Sequence, residues 1–145
     1  AEYYTLMGDI NMKQYAVTIM NLTTKEETEI VINADADETN NNVVLSTEVK
    51  GNRISASHYN YFPAYQSLRD SLLIKGYGMK CNGSRTNAIQ TGMMGANDTI
   101  CLAEMGKKVQ KEEAVSIYAY ADIDEFPDTI GQMNYFRAWM KSLSE

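Results

Sequence analysis

His58 is the only histidine among the 145 residues, and that one fact limits the catalytic devices available. A Ser-His-Asp relay would have to use it, yet no GxSxG elbow is present to present a serine. The two cysteines are Cys81 and Cys101. A Cys-His pair with His58 is chemically admissible, but no spacing supports it. A structural zinc site needs four ligands, and only His58 could join the two thiols. Both cysteines read as reduced core or strand residues, which points to a cytoplasmic setting.

Carboxylates offer a second kind of chemistry. Asp35, Asp37 and Glu38 could in principle act as acid and base, but a polar stretch keeps such groups solvated and ordinary. The same Asp-x-Asp suggests calcium. An EF-hand counted from Asp35 needs glycine at its sixth position and glutamate at its twelfth, where this chain has Asn40 and Ser46. The glycines between 76 and 95 invite a phosphate loop, with Arg85 as an anion clamp. There is no GxxxxGK[ST], and GxGxxG is broken at Cys81. The plainer reading makes Asn82-Gly83 a tight turn and pairs Arg85 with a carboxylate.

The acids cluster. Glu26, Glu27, Glu29, Asp35, Asp37 and Glu38 form one group, and Asp122, Asp124, Glu125 and Asp128 another. Asp128 is explained by the helix that follows it, whose N-terminus favours an anion. Asp122, Asp124 and Glu125 are not. Ten tyrosines accompany these acids, and tyrosine is enriched in the cores of protein interfaces. Acid with tyrosine is a composition suited to blocking a basic, nucleic-acid-handling cleft.

The whole chain carries a formal charge of −6, which disfavours direct nucleic-acid binding, since phosphates are met by cations. The charge is uneven. Residues 1–49 hold nine acids and two bases (net −7), 50–86 one acid and six bases (net +5), and 87–145 nine acids and five bases (net −4). Either the basic middle neutralises the acidic parts within the fold, or an acidic face is displayed to a basic partner and speeds its encounter. The length fits one domain, 1–145. No apolar run approaches the ~20 residues of a membrane span, and no basic-then-apolar leader pattern opens the chain.

The elements that must position these groups are legible by period. Residues 13–22 alternate Tyr15, Val17 and Ile19 against Gln14, Ala16 and Thr18, a half-buried strand. Residues 29–32 predict the returning arm of a hairpin, 33–42 a loop rich in Asn and Asp, and Val43–Val49 and Arg53–Tyr59 two strands joined through Gly51-Asn52. Tyr3–Met7 adds a possible opening strand. Pro63 suits a first helical turn, with Tyr65, Leu68 and Leu72 on one face and Gly76 and Gly78 as the stop. Residues 77–82, 99–105 and 115–121 predict strands. Thr129 with Gln132 predicts a capping box on a final helix. Its apolar face is Ile130, Met133, Phe136, Met140 and Leu143, with Trp139 as anchor. Strands first and helices later argue an α+β fold: an antiparallel sheet with one mid-chain and one C-terminal helix packed on it.

Between about Leu68 and Leu143 stand Gly76, Gly78, Cys81-Asn82-Gly83-Ser84-Arg85, Thr91-Gly92-Met93-Met94 and Gly95. Gly106, Val115 to Tyr118, Thr129, Gln132, Phe136, Trp139, Ser142 and Leu143 follow. In these residues the chain resembles small bacterial immunity proteins associated with contact-dependent growth inhibition and Rhs polymorphic toxins. Thr91 stands where the family more usually has serine. The resemblance implies a non-enzymatic, cofactor-free cytoplasmic protein that binds a cognate toxin domain, such as a basic tRNase. It supplies no binding residues. Those come from charge: Glu26, Glu27, Glu29, Asp35, Asp37, Glu38, Asp122, Asp124 and Glu125. The competing expectation is a small-ligand or phosphate-binding domain, with or without catalysis, built on residues 76–95 and Arg85. Neither reading involves a membrane, and neither sets an oligomeric state.

Overall fold

The computed structural model describes residues 10–37, 39–92 and 97–144. Five strands make one antiparallel sheet: β1 (Ile10–Asn21), β2 (Glu27–Asp37), β3 (Asn42–Val49), β4 (Asn52–His58) and β5 (Tyr77–Met79), in the order β4-β3-β2-β1-β5. Between β4 and β5 the chain runs through helix α1 (Tyr61–Ile74). Three short strands, β6 (Ala88–Ile89), β7 (Thr99–Leu102) and β8 (Val115–Ser116), form a second antiparallel sheet, and α2 (Thr129–Ser142) follows. The fold is α+β, an antiparallel sheet with one mid-chain and one C-terminal helix.

The period-2 pattern of β1 and β2 works as expected. Tyr15, Val17 and Ile19 lie opposite Ile32, Ile30 and Thr28, so one face of the sheet is apolar. Ile32 and Leu45 are fully buried on it, and α1 covers them with Tyr65, Leu68 and Leu72, also fully buried. Burying each of these leucines contributes about 1.5–3 kcal/mol. Asn60 caps α1 by accepting from the Tyr61 amide at 2.7 Å, and Gly76, at φ 93°, ends it.

Several expectations are corrected. Residues 33–42 are not a loop: β2 continues to Asp37, paired with β1 on one side and β3 on the other. Ala34 turns inward there while Asp35 and Asp37 take the opposite face, and pairing on both edges overrides the local preference of Asn and Asp for turns. Of the short connection that follows, the described residues are Thr39–Asn41, and the Asp37 carboxylate accepts from the amides of Thr39 and Asn40. The β3–β4 turn is Lys50-Gly51, one residue earlier than expected. Only Val115–Ser116 of the predicted 115–121 strand is extended in a ladder, since Ile117 and Tyr118 turn inward and Tyr120 forms a single bridge to Cys81. The 77–82 and 99–105 strands shorten to β5 and β7, and β6 lies in what reads as a connection. The expected strand at Tyr3–Met7 falls outside the described residues.

The largest correction concerns α2. Its N-cap is Asp128, which accepts from the Gly131 amide at 2.9 Å, and not Thr129. Gln132 closes no capping box. It points inward and is buried together with Trp139, with Tyr135, Phe136 and Leu143 half-buried beside them. Ile130 and Met140 are 67% and 53% exposed. The buried stripe (132, 135, 136, 139, 143) obeys helical spacing, but it begins on a glutamine, so a purely apolar reading rotates the helix.

Candidate functional site: an acidic face tied by Lys80

Glu27, Glu29, Val31, Asn33, Asp35 and Asp37 alternate with the inward Ile30, Ile32 and Ala34 of β2, and so share the face of the sheet turned away from α1. Lys80, just past β5, donates its amide to the Thr18 carbonyl of β1. Its side chain is only 6% exposed. The ammonium lies 3.3 Å from Glu27 and 3.0 Å from Asp122. It also sits 5.5 Å from the Tyr120 ring centroid, within cation–π range. One lysine thus joins residues 27 and 122, one from each sequence cluster, on a single patch.

The electrostatics match this geometry. The Asp122 carboxylate, then Tyr120 and Glu27, hold the Lys80 ammonium above the ordinary lysine range, while desolvation pulls the other way. Reciprocally, Lys80 holds the Asp122 carboxyl below its ordinary value. Asp122 remains 85% exposed, so it is oriented without being removed from water. Glu26 and Glu29, which neighbour Glu27 along the chain, are exposed, as are Asp124 and Glu125, which follow Asp122. Val31 (45%) and Tyr120 (55%) add exposed apolar surface.

The structure does not bring the other candidates to this patch. Asp35 is eight residues from Glu27 along β2, about 26 Å at strand rise, and Asp37 is farther still. Asp37 is engaged in its turn, binding the Asn40 amide group at 2.7 Å. Glu38 lies outside the described residues. Lys80 and Tyr120 were missed as site residues, although the alternation that buries Met79 and Cys81 is signal enough to turn Lys80 outward between them.

Two glycines of the 76–95 segment, Gly78 and Gly83, allow close packing. A Cβ on Gly83 would meet Tyr65 and Ile117 atoms at 2.7 Å, and one on Gly78 would meet the Phe126 ring at 2.5 Å. Arg85 donates from Nε to the Asn82 side chain at 3.1 Å and makes no ion pair among the described residues, contrary to the plainer expectation. Cys81 is buried with its Sγ 2.9 Å from the Tyr65 hydroxyl, and burial raises its thiol. Cys101 is buried too, its thiol raised by burial and by Glu113. His58 makes its ring contact with Tyr59, and no contact joins it to either cysteine. Among the described residues no group of three or more His, Cys, Asp or Glu could hold a metal ion, and no helix is long and apolar enough to cross a membrane. Gly95 and Met93-Met94 lie outside the described residues.

A second constellation, invisible to motif reading, clasps the two helices. Arg69 of α1 is fully buried. Its Nε donates to Asp70 at 2.8 Å and its Nη2 to Gln132 of α2 at 2.8 Å. Asp70 in turn accepts from the amide and hydroxyl of Thr129. Gln132 donates to the carbonyls of Gly83 and Arg85, both at 2.8 Å. Nη1 of Arg69 has no hydrogen-bond partner, and the guanidinium stands 5.8 Å from the Tyr65 ring centroid. Beside the clasp, α1 and α2 leave a cleft of about 210 Å³ bordered by Phe62, Gln66, Ile89, Gln90, Met133 and Phe136.

Compared with known proteins, the chain matches no family model, and no curated protein matches it significantly.

Proposed function

We propose that this chain is an immunity-type protein, a non-enzymatic cytoplasmic module that binds and neutralises a basic toxin domain, such as a tRNase, through the face organised by Lys80. The observation that carries the reading is the tie itself. Glu27 and Asp122, ninety-five positions apart in sequence, are held on one lysine beside exposed Glu26, Glu29 and Tyr120. A single buried-stem cation that orients two exposed carboxylates reduces the side-chain entropy lost when they meet a partner's arginines. The resemblance over residues 68–143 to immunity proteins supports the same reading. A specific complex would bury roughly 1,200–2,000 Å².

The test is co-expression with the product of the adjacent upstream gene, followed by association kinetics across a salt series. The expected result is a stoichiometric complex whose on-rate falls as salt rises, because exposed charges are screened beyond ~8 Å at physiological ionic strength. Glu27→Lys with Asp122→Lys weakens it, while Asp35→Lys with Asp37→Lys changes it far less. Equal affinity for all these variants, each with an unchanged melt, overturns the site. A salt-independent on-rate overturns the acidic-face mechanism.

The α1–α2 cleft favours a second reading, a small-ligand site, now moved away from Arg85 and the glycines. A ligand at ~100 times its dissociation constant would stabilise the fold by about 2.7 kcal/mol, so a thermal-shift panel of apolar amides and carboxylates decides it.

A further inference from the structure

The two edges of the five-stranded sheet are finished differently. β5 is three residues long, and the chain beside it is covered: the Ala121 amide donates to the Lys80 carbonyl, and Cys81 bridges Tyr120. β4, the other edge, is seven residues long and regular, paired with β3 at every position from Val43↔His58 to Val49↔Asn52 without a bulge. No described strand pairs with its outer side. It contains no proline and no lysine, devices that usually blunt such an edge.

The hairpin geometry identifies which backbone groups are free. Lys50 (φ 50°) and Gly51 (φ 80°) make a two-residue turn with both φ positive, the type I′ form that closes on a hydrogen-bonded pair. Val49 and Asn52 are that pair. Alternation then directs Ile54, Ala56 and His58 to β3, and turns the N–H and C=O of Arg53, Ser55 and Ser57 outward. Those three amides have no hydrogen-bond partner on that side among the described residues. A row of unpaired donors and acceptors at strand spacing is a template for another strand.

We propose that β4 pairs with β4 of a second copy of this chain, antiparallel about a two-fold axis at Ser55, to make a continuous ten-stranded sheet. The register is self-complementary. Ser55 meets the second copy's Ser55, and Arg53 meets its Ser57, so all three outward residues exchange both bonds, six in total, and no like charges oppose each other. On the inner face Ile54 meets Ala56, apolar against apolar, and on the outer face the serines leave room. The Glu27–Lys80–Asp122 patch lies across the sheet toward β5, so the pairing leaves it open. The inference does not depend on that patch binding a toxin.

Sedimentation velocity of the full chain from low micromolar to a few hundred micromolar tests it. The expected result is a rise from the 16.3 kDa monomer to twice that mass. Ser55→Pro removes one outward N–H per copy without touching a bond to β3, and raises the dissociation constant about tenfold or more. Ser55→Asp, which opposes two carboxylates on the axis and tolerates the fold regardless of the proline, raises it likewise. Mild oxidation cross-links Ser55→Cys to itself. Arg53→Cys, by contrast, cross-links only when mixed with Ser57→Cys. The native cysteines are buried. A monomer at every concentration overturns the proposal. So does a dimer indifferent to both Ser55 variants, or one in which Arg53→Cys cross-links to itself.

Discussion

Where α1 meets the five-stranded sheet, the contact is made mainly by aliphatic side chains, Val17, Ile19, Ile32, Leu45, Leu68 and Leu72, with Tyr65 buried among them. Where α2 meets the rest of the molecule, the apolar contribution is one small cluster around Ile89, Cys101, Ala103 and Trp139. The remainder is hydrogen bonding. Gln132 reaches two carbonyls, the Trp139 indole donates to the Lys107 carbonyl at 2.8 Å, and the Tyr135 hydroxyl donates to the Ala103 carbonyl at 2.9 Å. One half is held by area removed from water, which is non-directional and tolerant. The other is held by directional bonds, which fix one arrangement but leave costly unsatisfied groups when any partner is lost.

The contrast can be broken most forcefully at Asp70. Asp70→Ala strands the buried Arg69 without its carboxylate, and should cost about 3–5 kcal/mol in urea unfolding. The double change Arg69→Met with Asp70→Ala should cost less than Asp70→Ala alone, because the uncompensated charge is gone. Additive losses would show that the clasp does not act as a unit. Leu68→Ala, in the apolar half, should cost about 2–5 kcal/mol with no such rescue. Gly83→Ala comes next, at about 1–3 kcal/mol, since its Cβ meets the Tyr65 and Ile117 side chains.

High pH sharpens the comparison from the apolar side. Tyr15, Tyr61, Tyr65 and Tyr118 form one aromatic cluster, and burial raises each hydroxyl above the ordinary tyrosine value. Asp98, bonded to the Tyr15 hydroxyl at 2.6 Å, adds to the rise there. A folded-state value raised above the unfolded one stabilises fully below the unfolded value, about 10, and that stability is lost as pH climbs above it. Absorbance should therefore show these four tyrosines ionising only together with unfolding. The smallest effect is local. Lys80→Met should move the Asp122 carboxyl midpoint up to the ordinary range in a carbon NMR titration. For Asp122 the sign runs the other way: its value is lowered in the fold, so its contribution is present above the ordinary aspartate value and fades as acid is added.

Legibility in the sequence followed the same division. β1 to β4 and α1 could be read because apolar side chains recur at the period of the element that buries them, as Val17 and Ile19 or Leu68 and Leu72 do. The error at residues 33–42 arose because Asn33, Asp35 and Asp37 occupy the outer face, where composition is free to look like a loop. The second half resisted for a different reason. Gln132 occupies a core position because Arg69, sixty-three residues earlier, needs its oxygen, and no local window contains both. The acidic face was half legible. Charge clustering located Glu27 and Asp122 but could not show that Lys80 joins them, or that Asp35 and Asp37 lie at the far end of the same strand.

The clasp also bears on the order in which the chain can be assembled. A ribosome delivers α1 well before α2, so until Gln132 has been made the Arg69 guanidinium has Asp70 but lacks its partner from the last helix. The sheet and α1 are then expected to form around a cation whose burial is incomplete. Completion waits for a contact across sixty-three residues, whose loop-closure entropy must be met before any of its bonds form. The last helix is thus a bolt on the first: a chain cut before Asp128 should retain strands yet never reach the cooperative native state.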